Sequence, residues 1–157
     1  DASLMPADSR IWIYQANRKL SEQEISSISE KTKEFLETWT AHNNALKAGF
    51  QLLHGYFLII MIDKNYEQAS GCSIDKSVHF IQKLERDFNF SLMDRMMFAY
   101  KQDNKVKVSP REEFSSLYSS GALNDNTIVF NNLIETKGDL LRKWEVPMKE
   151  SWHKNVV

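Results

Sequence analysis

The stretch FQLLHGYFLIIMID, residues 50–63, sets the architecture expected for this chain. Phe50–Leu53 and Tyr56–Ile62 are rich in residues that favour strands, and His54-Gly55 between them is a plausible turn pair. The stretch therefore predicts a β-hairpin. Its second strand is apolar on both faces, which is typical of a strand covered on both sides. It is too short for a transmembrane helix, which needs about 20 apolar residues.

Upstream of the hairpin, the sequence predicts a strand followed by a helix. Arg10–Gln15 is short, β-branched and aromatic, as strands are. Ser21 and Glu24 have the spacing of a capping box, and apolar residues at helical spacing continue to about Ala41. The first helix is therefore expected over about residues 21–41.

Downstream, the sequence predicts a second helix and a fourth strand. Apolar residues from Ile74 to Phe88 share one helical stripe, with Ser73 as the expected N-cap. Arg95–Tyr100 is then expected to form a strand. The order strand, helix, strand, strand, helix, strand is that of a ferredoxin-like α+β fold, a split βαβ sheet with two helices on one face.

The domain expectation is a single domain over residues 5–157. A βαββαβ core would occupy residues 5–103, and a C-terminal α/β extension at 104–157 would pack on it. The extension holds an edge strand protected by lysines at Lys105–Val108 and a helix start at Ser109–Glu112 with a serine cap and a capping glutamate. Residues 1–4 are interpreted as a remnant ahead of a native Met5, and no signal peptide is visible.

Composition narrows the class of partner. The 157 residues include 20 basic and 21 acidic side chains, for a net charge of -1. A nucleic-acid partner is not expected, because backbone binding needs a surplus of Lys and Arg. The single cysteine excludes an internal disulfide and fits a cytoplasmic location. No membrane insertion is expected, and a homodimer is one of the arrangements left open.

The predicted fold gathers polar residues at one edge. Two neighbouring antiparallel helices would bring the end of the first beside the start of the second. The expected cluster consists of Trp39, His42, Asn43, Asn44, Asp63, Ser70, Cys72, Ser73, Asp75 and, from the end of the fourth strand, Tyr100.

Cys72 has three interpretations within that cluster. A thiol at a helix N-terminus is a candidate nucleophile, with His42 as base and Asp63 or Asn43 as the group that orients it. Free cysteine also packs as a small apolar residue, or serves redox or metal sensing. The remaining residues, Trp39, Asn43, Asn44, Ser70, Ser73, Asp75 and Tyr100, are candidate ligand-binding residues.

Known cofactor motifs do not occur in the sequence. It has no G-x-x-x-x-G-K-[ST] loop, no G-x-G-x-x-G fingerprint and no His-Glu-x-x-His helix. Neither a cofactor nor a metal is therefore expected.

Several segments resemble one family of small bacterial proteins. They are DSRIWIYQANR, WTAHNNALKA, ASGCSIDKSVHFIQ, TIVFNNLIETK and WEVPMKESW. The family commonly carries the label "ABC transporter ATPase", and no activity is established for it. ATPase activity is not expected here, because the phosphate loop that such an enzyme needs is missing.

The sequence thus predicts a small non-catalytic accessory module that binds a ligand or a protein partner. The alternative is a thiol-dependent enzyme, for acyl transfer or hydrolysis, that uses Cys72 with His42. A third hypothesis is a transporter ATPase accessory subunit that does not itself hydrolyse ATP.

Overall fold

A computed structural model describes residues 2–157 as an α+β protein. The strands are β1 (Arg10–Gln15), β2 (Thr40–Ala41), β3 (Asn44–Ala45), β4 (Ala48–Leu53), β5 (Phe57–Ile62), β6 (Met97–Gln102), β7 (Lys105–Pro110), β8 (Ile128–Phe130) and β9 (Glu145–Pro147). The helices are α1 (Glu22–Thr38), α2 (Gly71–Phe88), α3 (Arg111–Ser119) and α4 (Lys137–Arg142), with 3-10 turns at Ala2–Leu4, Met148–Glu150 and Trp152–Asn155. Asp1, the first residue of the predicted remnant, lies outside the described residues.

The chain divides into two compact units. The first runs to Met93 and includes Glu135–Gly138, and the second contains Asp94–Ile134 and Asp139–Val157. β6 thus belongs to the second unit, although the sequence predicted it in the core with the first hairpin.

The first unit is built on a three-stranded antiparallel sheet in the order β1-β5-β4. The predicted hairpin of β4 and β5 is confirmed. His54 and Gly55 have φ of 58° and 73°, the left-handed conformation that a tight hairpin turn requires. Every residue of β5 is buried, as its continuous apolar sequence predicted.

Helices α1 and α2 cover one face of this sheet. Ser21 caps α1 with a complete capping box to Glu24, as predicted. The helices and the sheet share one apolar core. Its buried members include Tyr14, Leu58, Ile60 and Ile62 from the strands, and Ile28, Ile81 and Leu84 from the helices.

The start of α2 differs from the prediction. Ser70, and not Ser73, is the N-cap: its side chain accepts a hydrogen bond from the Ser73 amide at 3.1 Å. Ser73 Oγ in turn accepts from the Ser70 amide at 2.7 Å. The reciprocal pair starts the helix at Gly71, because two of the four free amides at the helix start, those of Ser70 and Ser73, then have partners.

The predicted ferredoxin-like sheet of four strands is not formed. β6 joins a second antiparallel sheet in the order β7-β6-β8-β9. It pairs with β7 along its whole length through a turn at Asp103-Asn104, whose φ values are 54° and 62°. A local hairpin with such a turn costs little loop entropy. β6 is therefore paired with β7 and β8 and not with β1.

Other segments occupy the outer edge of β1. The Ile11 amide donates to the Glu135 carbonyl at 2.9 Å, and the Gln15 amide donates to the Leu92 carbonyl at 3.2 Å. Arg10 forms an isolated antiparallel bridge with Thr136. The edge that a fourth strand would have used is therefore already hydrogen-bonded at Ile11 and at Gln15.

In the second unit, α3 begins without the predicted serine cap. Pro110 is the N-cap and makes no side-chain capping bond. Ser109 is buried, and its Oγ shares a 2.7 Å hydrogen bond with the Tyr100 hydroxyl. The capping box expected at Ser109–Glu112 is wrong, because Ser109 lies in β7 with its hydroxyl already hydrogen-bonded.

Lys137 fastens the N-terminal turn of the first unit. Its Nζ donates to the carbonyls of Ala2 at 2.9 Å, Ser3 at 3.3 Å and Met5 at 2.7 Å. Hydrogen bonds from a charged donor are stronger than neutral ones. The charge of Lys137 therefore holds three carbonyls that end a short helical turn.

Lys137→Met is expected to lower the free energy of unfolding by about 2 kcal/mol, since the charged donor is lost and its carbonyl partners are left. Urea denaturation measures this. Lys143→Met is the matched control: Lys143 is exposed and its Nζ lies 3.9 Å from Asp139, so a change within about 0.5 kcal/mol is expected. Equal losses in both variants would contradict the role given to Lys137.

Candidate functional site

The end of α1 lies against the start of α2. The Trp39 indole N–H donates to the Ser73 carbonyl at 2.8 Å. Both residues are buried, with 2% and 1% of their surfaces exposed. Of the residues predicted to share a cluster, the structure brings Trp39 into direct contact with Ser73, which also bonds to Ser70.

His42 and Asn43 form the turn of a small hairpin that follows Trp39. The strands β2 and β3 pair Ala41 with Asn44. His42 and Asn43 have φ of 53° and 64°, and both are exposed. Asn44 Nδ2 donates to Glu67 Oε2 at 3.2 Å. A turn built on two left-handed residues places the imidazole at the tip of a hairpin.

Asp63 follows β5 directly and organises the turn after it. The residue is buried, with 4% of its surface exposed. Its Oδ1 accepts from the Asn65 amide at 3.0 Å, and its Oδ2 lies 4.0 Å from Lys47 Nζ. These contacts give the carboxylate a structural role in closing the turn.

Cys72 is the second residue of α2 and is exposed, like Asp75 one turn along. Among residues 2–157, no hydrogen bond joins Cys72 to His42 or His42 to Asp63. The same residues contain no group of three or more His, Cys, Asp or Glu side chains that could hold a metal ion.

Tyr100 is a core residue of the second unit. Only 3% of its surface is exposed, and its hydroxyl is engaged by Ser109. The side chain is packed on Phe114, with ring centroids 5.6 Å apart. Tyr100 is therefore a buried residue and not an exposed ligand contact. Its predicted position depended on a four-stranded sheet that does not form.

A groove of about 540 Å³ lies between α1 and α2. Phe35, Thr38 and Trp39 line it from α1, and Lys76, His79, Phe80, Lys83 and Arg86 line it from α2. Trp39 thus belongs to both the predicted cluster and this groove. We call the feature the α1–α2 groove.

Aromatic rings form the floor of the α1–α2 groove. Phe35 and Phe80 stack with ring centroids 4.5 Å apart and an interplanar angle of 4°. Phe35 also contacts Trp39, with centroids 5.3 Å apart. The two phenylalanines are half-buried, so they offer apolar surface to a molecule in the groove.

The wall contributed by α2 is basic. Lys76, His79, Lys83 and Arg86 are all exposed, and within residues 2–157 none of the four makes an ion pair or a side-chain hydrogen bond. Some other cations of the chain are paired, as Lys154 is with Asp125 at 2.6 Å. Three permanent positive charges beside an aromatic floor can attract an anionic partner that also carries apolar groups.

The helical spacing of residues in α2 indicates this basic wall in the sequence itself. Positions 76, 79, 80, 83 and 86 recur at three and four residues, so they share one helical face. The prediction of helix α2 rests on its apolar residues. Trp39 is the one residue of the groove among the predicted site residues. Basic residues on that face are the part that the prediction missed.

No family model, curated protein or solved structure matches this chain. The resemblance to the family labelled "ABC transporter ATPase" therefore stays a prediction. Across residues 2–157, the structure contains no helix whose length and hydropathy would suit a membrane span.

Proposed function

We propose that this protein is a small non-catalytic binding module, and that the α1–α2 groove receives an acidic peptide segment of a protein partner. The observation that carries the proposal is the set of α2 cations, unpaired within residues 2–157, beside the stacked rings of Phe35 and Phe80. Acidic side chains would meet the basic wall, and an apolar side chain would cover the rings.

Electrostatics favour a peptide over a nucleic acid as the occupant. The whole chain has a net charge of -1, so its long-range field does not attract a polyanion. The cations that line the α1–α2 groove lie on one face of α2. A short acidic segment matches this area, and the steering it receives should weaken as salt rises.

The direct test uses a fluorescein-labelled peptide in which glutamates flank one phenylalanine. The double variant Lys76→Glu with Lys83→Glu is expected to weaken binding about tenfold or more, since attraction becomes repulsion and a loss of about 1.4 kcal/mol is a factor of ten. Fluorescence anisotropy at low and high salt measures it.

A charge-matched control is Lys105→Glu with Lys107→Glu, on β7 of the second unit, where both lysines are exposed. This control should bind the peptide as the wild type does. Failure of the wild-type protein to bind, or an equal loss in the control, would contradict the proposal. Tighter binding of an oligonucleotide than of the peptide would replace it with nucleic-acid recognition.

The alternative function is a thiol-dependent enzyme, and the exposure of Cys72 in the first turn of α2 supports it. The binding-module proposal expects Cys72→Ser to leave the peptide affinity unchanged. Turnover of an activated ester by the wild type that disappears in Cys72→Ser would favour the enzyme instead. His42→Gln would then have to reduce turnover as well, since the alternative assigns His42 as the base.

The first unit also supports a limited form of the predicted fold. The elements β1, α1, β4, β5 and α2 follow the ferredoxin-like order as far as the second helix, and both helices lie on one sheet face. We propose that the likeness ends at α2. A cytoplasmic location and an accessory role beside a transporter ATPase rest on the sequence alone.

A further inference from the structure

One edge of the first unit's sheet carries no further strand in the described part of the chain. β4 is the last strand of the order β1-β5-β4, and no other strand of residues 2–157 pairs with its outer side. The Asp63 amide donates to the Lys47 carbonyl at 2.8 Å, so the odd-numbered residues of β4 bond to β5. The amides and carbonyls of Ala48, Phe50 and Leu52 therefore point outward.

Two other sheet edges, at β1 and β7, differ from that of β4. Ile11 and Gln15 on the outer side of β1 are hydrogen-bonded to Glu135 and Leu92. β7, an edge of the second sheet, carries lysines and a proline, residues that oppose pairing with another strand. β4 has the sequence AGFQLL and contains neither a charge nor a proline. An edge left open in this way is a template for an added strand.

A groove runs beside this open edge. It has a volume of about 480 Å³ and lies between β4 and α1. Its apolar lining comes from Leu36, Leu46, Ala48 and Phe50, Lys33 and Glu37 stand on the α1 wall, and Ala2 of the N-terminal turn borders it beside Gly49. An added strand would have free backbone groups to bond and an apolar trough for its side chains.

We propose that β4 pairs with β4 of a second copy of this chain, in antiparallel register about a two-fold axis at Phe50. In this register Phe50 faces Phe50 of the second copy, and Ala48 faces Leu52. All three residues point their backbone groups outward, so each facing pair can exchange both of its hydrogen bonds. The side chains of Phe50 and Leu52 from the second copy would enter the groove.

Charge on the groove wall favours a second copy over an unrelated peptide. Lys33 and Glu37 are exposed, of opposite sign and one helical turn apart. A two-fold axis reverses the second α1, which offers Glu37 of one copy to Lys33 of the other. The surface is thus complementary to itself, as an isologous interface requires.

Sedimentation equilibrium from micromolar to submillimolar concentrations tests the proposal on the full chain. The wild type is expected to show a reversible dimer. Ala48→Pro removes an outward amide at the first residue of β4 and should weaken the dimer about tenfold or more, whereas Ala48→Val keeps the amide and should dimerise normally. Amide exchange at Phe50 and Leu52 should slow as concentration rises, and exchange in β7 should not change.

A charge exchange keeps the test decisive if Ala48→Pro does not fold. Lys33→Glu should weaken the dimer, and adding Glu37→Lys to it should restore dimerisation. A wild type that stays monomeric at every concentration overturns the proposal and leaves the edge to a peptide of another protein. A dimer that neither Ala48→Pro nor Lys33→Glu weakens also overturns the proposal. The Lys76 and Lys83 variants of the α1–α2 groove should dimerise normally, so the two proposals fail separately.

Discussion

Replacing Trp39 by alanine is expected to lower the free energy of unfolding by about 3–5 kcal/mol, the usual cost of removing a buried aromatic side chain. The ring lies between Trp12, with centroids 6.2 Å apart, and Phe35, with centroids 5.3 Å apart. Its loss would leave a cavity in the core of the first unit and strip the Ser73 carbonyl of its indole donor.

Trp39→Phe separates packing from hydrogen bonding in the same position. It keeps an aromatic ring and loses the N–H group, so a cost of about 1–2 kcal/mol is expected for the lost indole hydrogen bond to the Ser73 carbonyl and the smaller ring. Leu133→Ala is an exposed control, with 67% of the leucine exposed, and should change stability by less than about 0.5 kcal/mol. Urea denaturation measures all three variants. Equal costs for the alanine and phenylalanine variants would show that packing is not the main contribution.

The parts of the fold that the sequence predicted are those set by local chemistry. The β4–β5 hairpin has a turn pair, His54-Gly55, that adopts the left-handed conformation and two apolar strands beside it. The capping box of Ser21 and Glu24 is a local signal of the same kind. Neither feature depends on a distant partner, and this is why both could be predicted from a few neighbouring residues.

The partner of β6 could not be predicted in this way. Its sequence is compatible with a place beside β1 and with a hairpin to β7. The choice depends on Asp103 and Asn104, which accept left-handed conformations, and on Glu135, which bonds to the edge of β1 from far along the chain. A contact between residues so far apart in sequence does not alter the local spacing of apolar residues, so that spacing cannot predict it.

The sequence predicted the junction of α1 and α2, but it did not predict the basic residues that line the groove there. The meeting of Trp39 with Ser73 follows from two helices packed side by side, and the sequence placed both residues at that junction. The basic wall of α2 was missed because exposed lysines on a helix usually face water. That Lys83 and Arg86 lack ion pairs within residues 2–157 becomes evident only when their neighbours are known.

Acid is expected to destabilise the second unit through His153. The imidazole is buried, with 1% of its surface exposed, and stacks on Trp152 with ring centroids 3.7 Å apart. Phe98 and Phe114 lie on its other sides, with centroids 5.6 Å and 5.8 Å away. Because burial disfavours the charged ring, the pKa of His153 is lowered from 6.5 to about 4.

The direction of the pH effect follows from this lowered pKa. Above pH 6.5 the ring is neutral in both states, and the stability is fully present. As pH falls, the unfolded chain binds a proton that the folded chain refuses, so stability is lost until the folded ring also titrates at about pH 4. The total loss is roughly 3 kcal/mol, because a difference of one in pKa between the folded and unfolded states corresponds to about 1.4 kcal/mol.

Urea denaturation at several pH values measures the contribution of the His153 imidazole to stability. All variants contain the same carboxylates, so the titration of these groups cancels when the variants are compared. His153→Gln keeps a hydrogen-bonding group near Ser151, whose Oγ lies 2.7 Å from Nδ1, and removes the titrating ring. Its stability should therefore fall less than that of the wild type between pH 6.5 and 4, by roughly the 3 kcal/mol assigned to the imidazole. His79→Gln replaces an exposed histidine and should keep the wild-type slope. Parallel curves for the wild type and His153→Gln would mean that the buried imidazole does not set the acid limit, and the carboxylates would then have to account for it.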